Sequence, residues 1–207
     1  AETGRCTRLN SSNTFPASAG ARMKLARPVS PPLFFHACGM SRGMKAECEF
    51  AFRLKRALPA LGRPFAPEEI APALAFHPAI ELAATRYAPG TGNRAVRTFD
   101  GIADNGTGGG AVLGPAIDAW RGLAFETMNI DARIDDSPPL QAYSGAYRRD
   151  PLAIVAETLN DLAGRGIYLG AGDCVLTGSL TLPTPVRAGQ TLTARFADLA
   201  TLRVTLT

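Results

Sequence analysis

The segment after residue 44 alternates strictly between two kinds of side chain. Within Lys45–Leu54, KAECEFAFRL, one side of an extended backbone carries Phe50, Phe52 and Leu54 and the other carries Glu47, Glu49 and Ala51. This period of two predicts a half-buried β-strand. Residues at i and i+2 of a strand lie about 6–7 Å apart at their Cα atoms. The two glutamates therefore converge on one spot.

The next segments predict a helix and a second strand. Prolines and acidic residues in Pro64–Glu69 mark the start of a helix that carries Ile70, Leu74 and Ala75 inward and ends near His77–Pro78. The apolar stretch Ala79–Ala83, AIELA, then predicts a short buried strand. Burying Glu81 inside it is costly unless the carboxylate is paired or bound to a metal.

The rest of the chain predicts further strands around one long helix. Residues 88–110 form a polar, glycine-rich loop, and Asp150–Pro151 opens a helix that Gly164 and Gly166 stop. Strands are predicted in 125–134, 173–177, 190–196 and 199–206. The fold class is therefore α+β with a strand-dominated core and a few peripheral helices. Residues 1–22 lack periodicity and predict a flexible or partial N-terminal segment ahead of one domain at 23–207.

Composition narrows the class of protein. The 207 residues are 46% hydrophobic, enough for one sizeable core, and 22 basic against 18 acidic residues give a net charge of +4 without a basic run. Four cysteines lack C-x-x-C spacing, the chain opens without a signal-peptide pattern, and no apolar stretch approaches about 18–20 residues. We expect a cytoplasmic protein with reduced thiols and neither nucleic acid nor membrane as partner.

Glu47, Glu49 and Glu81 are three acids on otherwise apolar elements. A hard divalent cation is an economical way to keep three carboxylates together, with Mg²⁺ the natural occupant and Mn²⁺ the second. The alternative is that Glu47 and Glu49 simply face solvent on a half-exposed strand. The E-x-E pair alone leaves both interpretations open.

Four motifs then occur in a characteristic order: Glu47–Phe52 (ECEFAF), His77–Glu81 (HPAIE), 102–105 (IADN) and Gly172–Ser179 (GDCVLTGS). Together they resemble the branch of the fumarylacetoacetate hydrolase superfamily that contains 2-keto-4-pentenoate hydratase and 4-oxalocrotonate decarboxylase. The resemblance covers about residues 20–207. It implies the strand-dominated, mixed β fold of that superfamily's C-terminal domain, with parallel and antiparallel strands, and a homo-oligomeric assembly.

The resemblance also implies roles for single residues. Glu47, Glu49 and Glu81 match the family's metal ligands, and Lys24, in ARMKL, matches a lysine beside the substrate. Its remaining matches imply a substrate-binding set of Asp104, Asn105, Thr177, Gly178 and Ser179.

The implied reaction is a metal-dependent hydration. A 2-hydroxy-2,4-dienoate would chelate Mg²⁺ or Mn²⁺, pass through a metal-chelated enolate and take up water to give a 4-hydroxy-2-oxo acid, as in the breakdown of aromatic compounds. Lys24 would move protons between the carbon chain and water. The alternatives are a 4-oxalocrotonate-type decarboxylase and a homologue that binds a metal or keto acid without turnover. A C–C hydrolase is disfavoured because no His–carboxylate pair stands near the E-x-E strand.

Three other features of the sequence give weaker evidence of function. His36 and His77 are isolated, which favours structural or surface roles over a catalytic base. Gly106–Gly110 lacks the lysine and the preceding strand of a phosphate-binding loop. Ser179 lacks the G-x-S-x-G context of a serine nucleophile.

Overall fold

The structure is a computed structural model, and it describes residues 24–26, 44–85 and 105–206. For residues 24–26 and for Asn105 the backbone alone is described. The boundary predicted at residues 22 and 23 lies outside these ranges.

Strands dominate the described part of the chain, as the sequence predicts, and helices are few. The strands are β1 (Lys24–Ala26), β2 (Lys45–Leu54), β3 (Leu74–Ala83), β4 (Gly108–Leu113), β5 (Ile130–Ile134), β6 (Cys174–Ser179), β7 (Thr184–Pro185), β8 (Thr191–Phe196) and β9 (Ala200–Thr205). The α-helices are α1 (Pro67–Ile70) and α2 (Pro151–Gly164). Short 3₁₀ turns cover Ala71–Ala73, Asn105–Thr107, Trp120–Gly122, Phe125–Thr127 and Gly145–Tyr147.

Two sheets form the architecture. The larger has the order β1-β6-β2-β3-β4, with β7 pairing the start of β2, and the smaller has the order β5-β8-β9. The pairings between described strands are all antiparallel, where the sequence analysis expected a mixed sheet. Antiparallel pairs need no helical crossover between neighbours, which agrees with the scarcity of helices.

The main core lies on one face of the larger sheet. Phe50 contacts Phe76 and Phe125 edge to face, with ring centroids 5.5 and 4.9 Å apart, and lies 6.5 Å from Phe196 of the smaller sheet. Such aromatic pairs add about 0.5–1.5 kcal/mol each beyond the area that they bury. The core therefore joins the two sheets through the apolar side of β2 that the alternation predicts.

The strand over Lys45–Leu54 is confirmed, but the prediction that only one of its faces is buried is wrong. Of its ten residues only Lys45 and Arg53 are exposed, so both faces of β2 are covered. This also excludes the alternative in which Glu47 and Glu49 face solvent, because both are buried.

The helix predicted to start within Pro64–Glu69 and to end near His77–Pro78 is shorter in the structure than the sequence predicts. α1 ends at Ile70, a 3₁₀ turn containing Pro72 follows, and β3 already begins at Leu74. Pro78 lies inside β3, where the carbonyl of Pro78 accepts a hydrogen bond from the Gly114 backbone N–H at 2.8 Å. In a strand the N–H and C=O of one residue point to the same side. The missing N–H of Pro78 thus faces the end of β4, and the ladder with β2 loses nothing.

The long helix is confirmed. The Asp150 carboxylate caps α2 by accepting a hydrogen bond from the Leu152 N–H at 2.9 Å, and Pro151 occupies the first turn. Gly166 lies just past the end of the helix at φ +73°, a conformation that favours glycine and that does not continue a helix. Within the described ranges, no helix has the length and apolar character needed to cross a bilayer.

Candidate metal centre

The second face of the larger sheet carries three buried carboxylates. Glu47 on β2 is the register partner of Glu81 on β3, and Glu49 is the partner of Ala79, two residues before Glu81. Side chains at i and i+2 of a strand share a face, and so do direct cross-strand partners. The relative exposures of Glu47, Glu49 and Glu81 are 1%, 2% and 1%. The structure therefore brings together the three acids that the sequence singles out.

The geometry of this cluster suits a small cation. Each glutamate offers one carboxylate oxygen, and these three oxygens all lie within 4.8 Å of one another. Three like charges at this spacing in a low-dielectric interior repel strongly, and a divalent ion relieves the repulsion. Carboxylate oxygens are the donors that Mg²⁺, Ca²⁺ and Mn²⁺ prefer. The donor set thus fits a hard divalent cation.

Strand β6 borders the cluster through an irregular register. Ser179 pairs with Glu49, but two residues along β2 Ala51 pairs with Leu176, so β6 contains one extra residue at this point. Gly178 takes φ +101° there, a conformation that favours glycine. This is a β-bulge, and it lies between the partners of Glu49 and Ala51, next to the end of the E-x-E segment.

The bulge donates hydrogen bonds to two of the three carboxylates. The Gly178 backbone N–H donates to Glu49 Oε2 at 3.0 Å, and the Ser179 hydroxyl donates to Glu47 Oε2. Hydrogen bonds to a charged acceptor are about twice as strong as neutral ones. Two predicted substrate-binding residues therefore contact the predicted metal ligands themselves.

Neighbouring hydroxyls hold the backbone on either side of these contacts. The Thr177 hydroxyl donates to the Phe50 carbonyl at 3.2 Å, and the Cys48 N–H donates to the Thr181 hydroxyl at 3.1 Å. Thr181 is fully buried, and the sequence analysis missed it. A threonine two residues beyond the TGS motif gives no distinctive sequence signal, because its partner lies 133 residues away.

Small side chains surround the carboxylates on this face. Ala51, Ala79 and Ala111 are buried in a cluster with Cys174 and Leu176, and Ala111 is the direct partner of Glu81 across β4. Burial raises the pKa of the Cys174 thiol to about 12, so this thiol stays neutral at physiological pH. The Cys48 thiol, which belongs to the opposite face, has its pKa raised to about 12 for the same reason.

Three further predicted residues lie at the margins of the described structure. Lys24, in β1, pairs with Leu176 of β6, and Leu176 in turn pairs with Ala51 of β2. One strand, β6, therefore separates position 24 from β2. The backbone of Asn105 begins the 3₁₀ turn before β4, the strand that flanks Glu81. Asp104 lies outside the described residues.

His77 is a second residue that the sequence analysis did not place near the carboxylates. It lies opposite Ala51, on the face that carries Glu49 and Glu81, and it is 8% exposed. His77 Nδ1 lies 2.9 Å from the Gly114 carbonyl oxygen, so that nitrogen carries a proton. Its place on this face follows only from the start of β3 at Leu74, because positions 77, 79 and 81 then share a face.

Comparison with known proteins finds a relative in sequence and several solved structures with a similar fold. No family model matches the chain. It is 31% identical over 163 residues to a 2-keto-4-pentenoate hydratase from Burkholderia vietnamiensis, a match that covers 79% of this chain and 60% of that protein. The chain thus spans about three fifths of the length of this relative.

Solved structures with a similar fold include a 4-oxalocrotonate decarboxylase from Pseudomonas putida G7 in complex with magnesium and adipate, at 23% identity and a TM-score of 0.66. That match covers 80% of this chain and 61% of the decarboxylase. A maleylpyruvate hydrolase from Sphingobium sp. SYK-6 in complex with manganese(II) and pyruvate matches with 14% identity and a TM-score of 0.56, over 88% of this chain and 59% of that one.

These findings agree with the motifs in the sequence. The relative is a hydratase of the expected type, and the fold neighbours include a 4-oxalocrotonate decarboxylase and a maleylpyruvate hydrolase. In sequence the chain is similar to a 2-keto-4-pentenoate hydratase and in fold to a 4-oxalocrotonate decarboxylase, the two enzymes of the superfamily branch that its motifs resemble.

Proposed function

We propose that residues 23–207 form the catalytic domain of a metal-dependent hydratase, a lyase, that adds water to a 2-hydroxy-2,4-dienoate and yields a 4-hydroxy-2-oxo acid. The observation that carries this proposal is the buried cluster of Glu47, Glu49 and Glu81, with its ligand oxygens within 4.8 Å of one another. The 31% identity to a 2-keto-4-pentenoate hydratase supports the choice of reaction. The same similarity supports a fold of the superfamily's C-terminal-domain type.

In this proposal the three glutamates hold Mg²⁺, with Mn²⁺ as the second choice. A bound divalent cation supplies Lewis-acid polarisation to the oxygens of a 2-oxo acid. Three carboxylates around an ion of charge +2 leave one net negative charge, which a neighbouring ammonium group would compensate. Lys24, in register with Leu176 and Ala51, is the residue that we assign to this place.

The protein's own groups then have distinct tasks. The Lys24 amine moves a proton between the carbon chain of the substrate and water. Asp104, Asn105 and the segment Thr177–Ser179 border the substrate. The enzyme acts in the cytoplasm as a homo-oligomer on products of aromatic breakdown.

The test is a turnover assay with chemically generated 2-hydroxypenta-2,4-dienoate. We expect the dienol absorbance to disappear faster with Mg²⁺ than with EDTA, and mass spectrometry to show a product heavier by one water. Glu47→Gln should reduce the metal-dependent rate at least 10²-fold, as expected when a site that stabilises charge is lost. A rate that is the same with Mg²⁺ and with EDTA contradicts the proposal.

A 4-oxalocrotonate-type decarboxylase is the second candidate. The fold match with a TM-score of 0.66 to such a decarboxylase favours it. Assaying 4-oxalocrotonate for CO₂ release separates the two activities, since hydration releases none. If neither acid is consumed while Mg²⁺ still binds, the chain is a non-catalytic binding homologue.

A further inference from the structure

The β-bulge in β6 determines which residues reach the carboxylates. Leu176 belongs to the small-residue cluster on the carboxylate face, so a regular strand would place 178 and 180 on that face and 179 on the opposite face. Instead Leu180 is part of the main core, and Ser179 is the register partner of Glu49. The extra residue shifts the alternation by one, and this shift alone puts Ser179 beside Glu47.

The contacts of the bulge are directed at the carboxylates. Gly178 N–H and Ser179 O–H each donate to one oxygen, Oε2, of a different glutamate. A carboxylate has two oxygens, and an ion in the cluster needs one from each residue. Holding one oxygen fixes the torsion of the whole group, and hydrogen bonds of this kind typically change metal affinity 10–100-fold when they are removed.

The segment between the two glutamates is held as well. Cys48 donates its N–H to the Thr181 hydroxyl at 3.1 Å, and the Cys48 carbonyl accepts from the Leu180 N–H at 2.7 Å. The side chains of Glu47 and Glu49 therefore project from a backbone that β6 holds in place at Cys48, the residue between them. Side chain and backbone of this pair are both tied to residues 178–181.

We propose that Gly178 and Ser179 are positioning residues, which preset Glu49 and Glu47 for the cation, and that the bulge exists to bring them there. This inference rests on the proposed metal site, and it gives two residues that border the substrate a second role in orienting the metal ligands. Ser179 is the more testable of the two, because its hydroxyl can be removed without altering the backbone.

The experiment is calorimetric titration of the purified chain with Mn²⁺ for wild type, Ser179→Ala and Ser179→Thr. We expect Ser179→Ala to bind Mn²⁺ about 10-fold or more weakly, within the range for such contacts. Ser179→Thr retains a hydroxyl and should stay within about threefold of wild type, whereas a merely structural effect would make the bulkier threonine the worse variant.

The matched control is Ser137→Ala. Ser137 follows β5 of the smaller sheet, and its hydroxyl accepts a hydrogen bond from the Ile134 N–H at 3.1 Å and donates to the Pro138 carbonyl rather than to a carboxylate. Its melting temperature should fall while its Mn²⁺ affinity stays unchanged. If Ser179→Ala does not fold, Ser179→Cys replaces it, because a thiol is a weak donor of similar volume. We expect Ser179→Cys to bind Mn²⁺ about 10-fold or more weakly as well.

The outcomes separate the inference from the proposed function. If wild type binds no Mn²⁺, the metal site itself is wrong and the positioning role falls with it. If wild type binds Mn²⁺ and Ser179→Ala binds it equally well, the metal site stands and the positioning role is refuted. Equal weakening in Ser179→Ala and Ser137→Ala also refutes it, because the effect would then come from the fold.

Discussion

Glu47 and Glu81 are direct register partners on adjacent antiparallel strands, and each is 1% exposed. Identical charges in this relationship destabilise a sheet. A fold that keeps them together retains a cost in free energy that a bound cation removes.

The first prediction is that Glu81→Gln separates stability from metal binding. In EDTA the variant should melt at a higher temperature than wild type, because about 1 kcal/mol of cross-strand repulsion is lost. In 10 mM Mg²⁺ wild type should gain melting temperature and Glu81→Gln should not, since ligand binding stabilises the folded state only where a site exists. Glu126→Gln, at an exposed position, is the control and should respond to Mg²⁺ as wild type does. A lower melting temperature for Glu81→Gln in EDTA contradicts this explanation.

The second prediction concerns Arg148, which is 8% exposed. Its guanidinium donates to the carbonyls of Tyr143, Phe125 and Met128 at 2.9, 3.4 and 3.0 Å, and burial lowers its pKa. Arg148→Met should reduce the free energy of unfolding by about 2–4 kcal/mol, because three carbonyls lose a charged donor. Urea unfolding measures this, with Arg149→Met as the exposed control. A loss below about 0.5 kcal/mol in Arg148→Met would show that the carbonyls find other donors.

The third prediction is that Glu69, at the start of α1, contributes to the free energy of unfolding in a way that depends on pH. Glu69 accepts hydrogen bonds from Arg63 and from the Ala66 N–H, and mainly the Arg63 bond lowers the pKa of this carboxyl from 4.5 to about 2. A lowered pKa stabilises the fold above the unfolded value of 4.5, and that contribution disappears as the pH falls from 4.5 towards 2. The stability difference between wild type and Glu69→Gln should therefore shrink between pH 6 and pH 3. A difference that is constant over this range would contradict the lowered pKa.

The fourth prediction concerns the Cys174 thiol. Burial raises its pKa from 9.0 to about 12. The thiol contributes stability below pH 9, where it is neutral in both states, and loses this contribution as the pH rises towards 12. Iodoacetamide at pH 8 should therefore leave Cys174 unmodified in the folded protein and alkylate it in 8 M urea, as read by peptide mass spectrometry. Rapid alkylation in the folded state would contradict its burial.

Local patterns predict much of this fold because they are physical constraints within one element. The alternation of Lys45–Leu54 places Glu47 and Glu49 on one face, and the Asp150–Pro151 pair starts α2, whatever the rest of the chain does. The burial of Glu81 likewise follows from the apolar residues around it. Its partnership with Glu47 could be expected only from the family resemblance.

The start of β3 could not be predicted from its own residues. Ile70, Leu74 and Ala75 fit one face of a helix, and Pro78 suggests a break, yet the pairing of Leu74 with Leu54 draws the segment into the sheet. The bulge in β6 was also beyond prediction. The residues of β6 would fit a regular strand as well as a bulged one. The reason why Ser179 changes face lies in the positions of Glu47 and Glu49 on the neighbouring strand.

The most direct test of the metal centre is anomalous diffraction from crystals of this chain soaked in Mn²⁺. We predict one strong anomalous peak per chain, within bonding distance of carboxylate oxygens from Glu47, Glu49 and Glu81, and its loss in crystals of Glu47→Gln. Peaks only at other positions, or a peak that persists unchanged in Glu47→Gln, would contradict a cation held by these three residues.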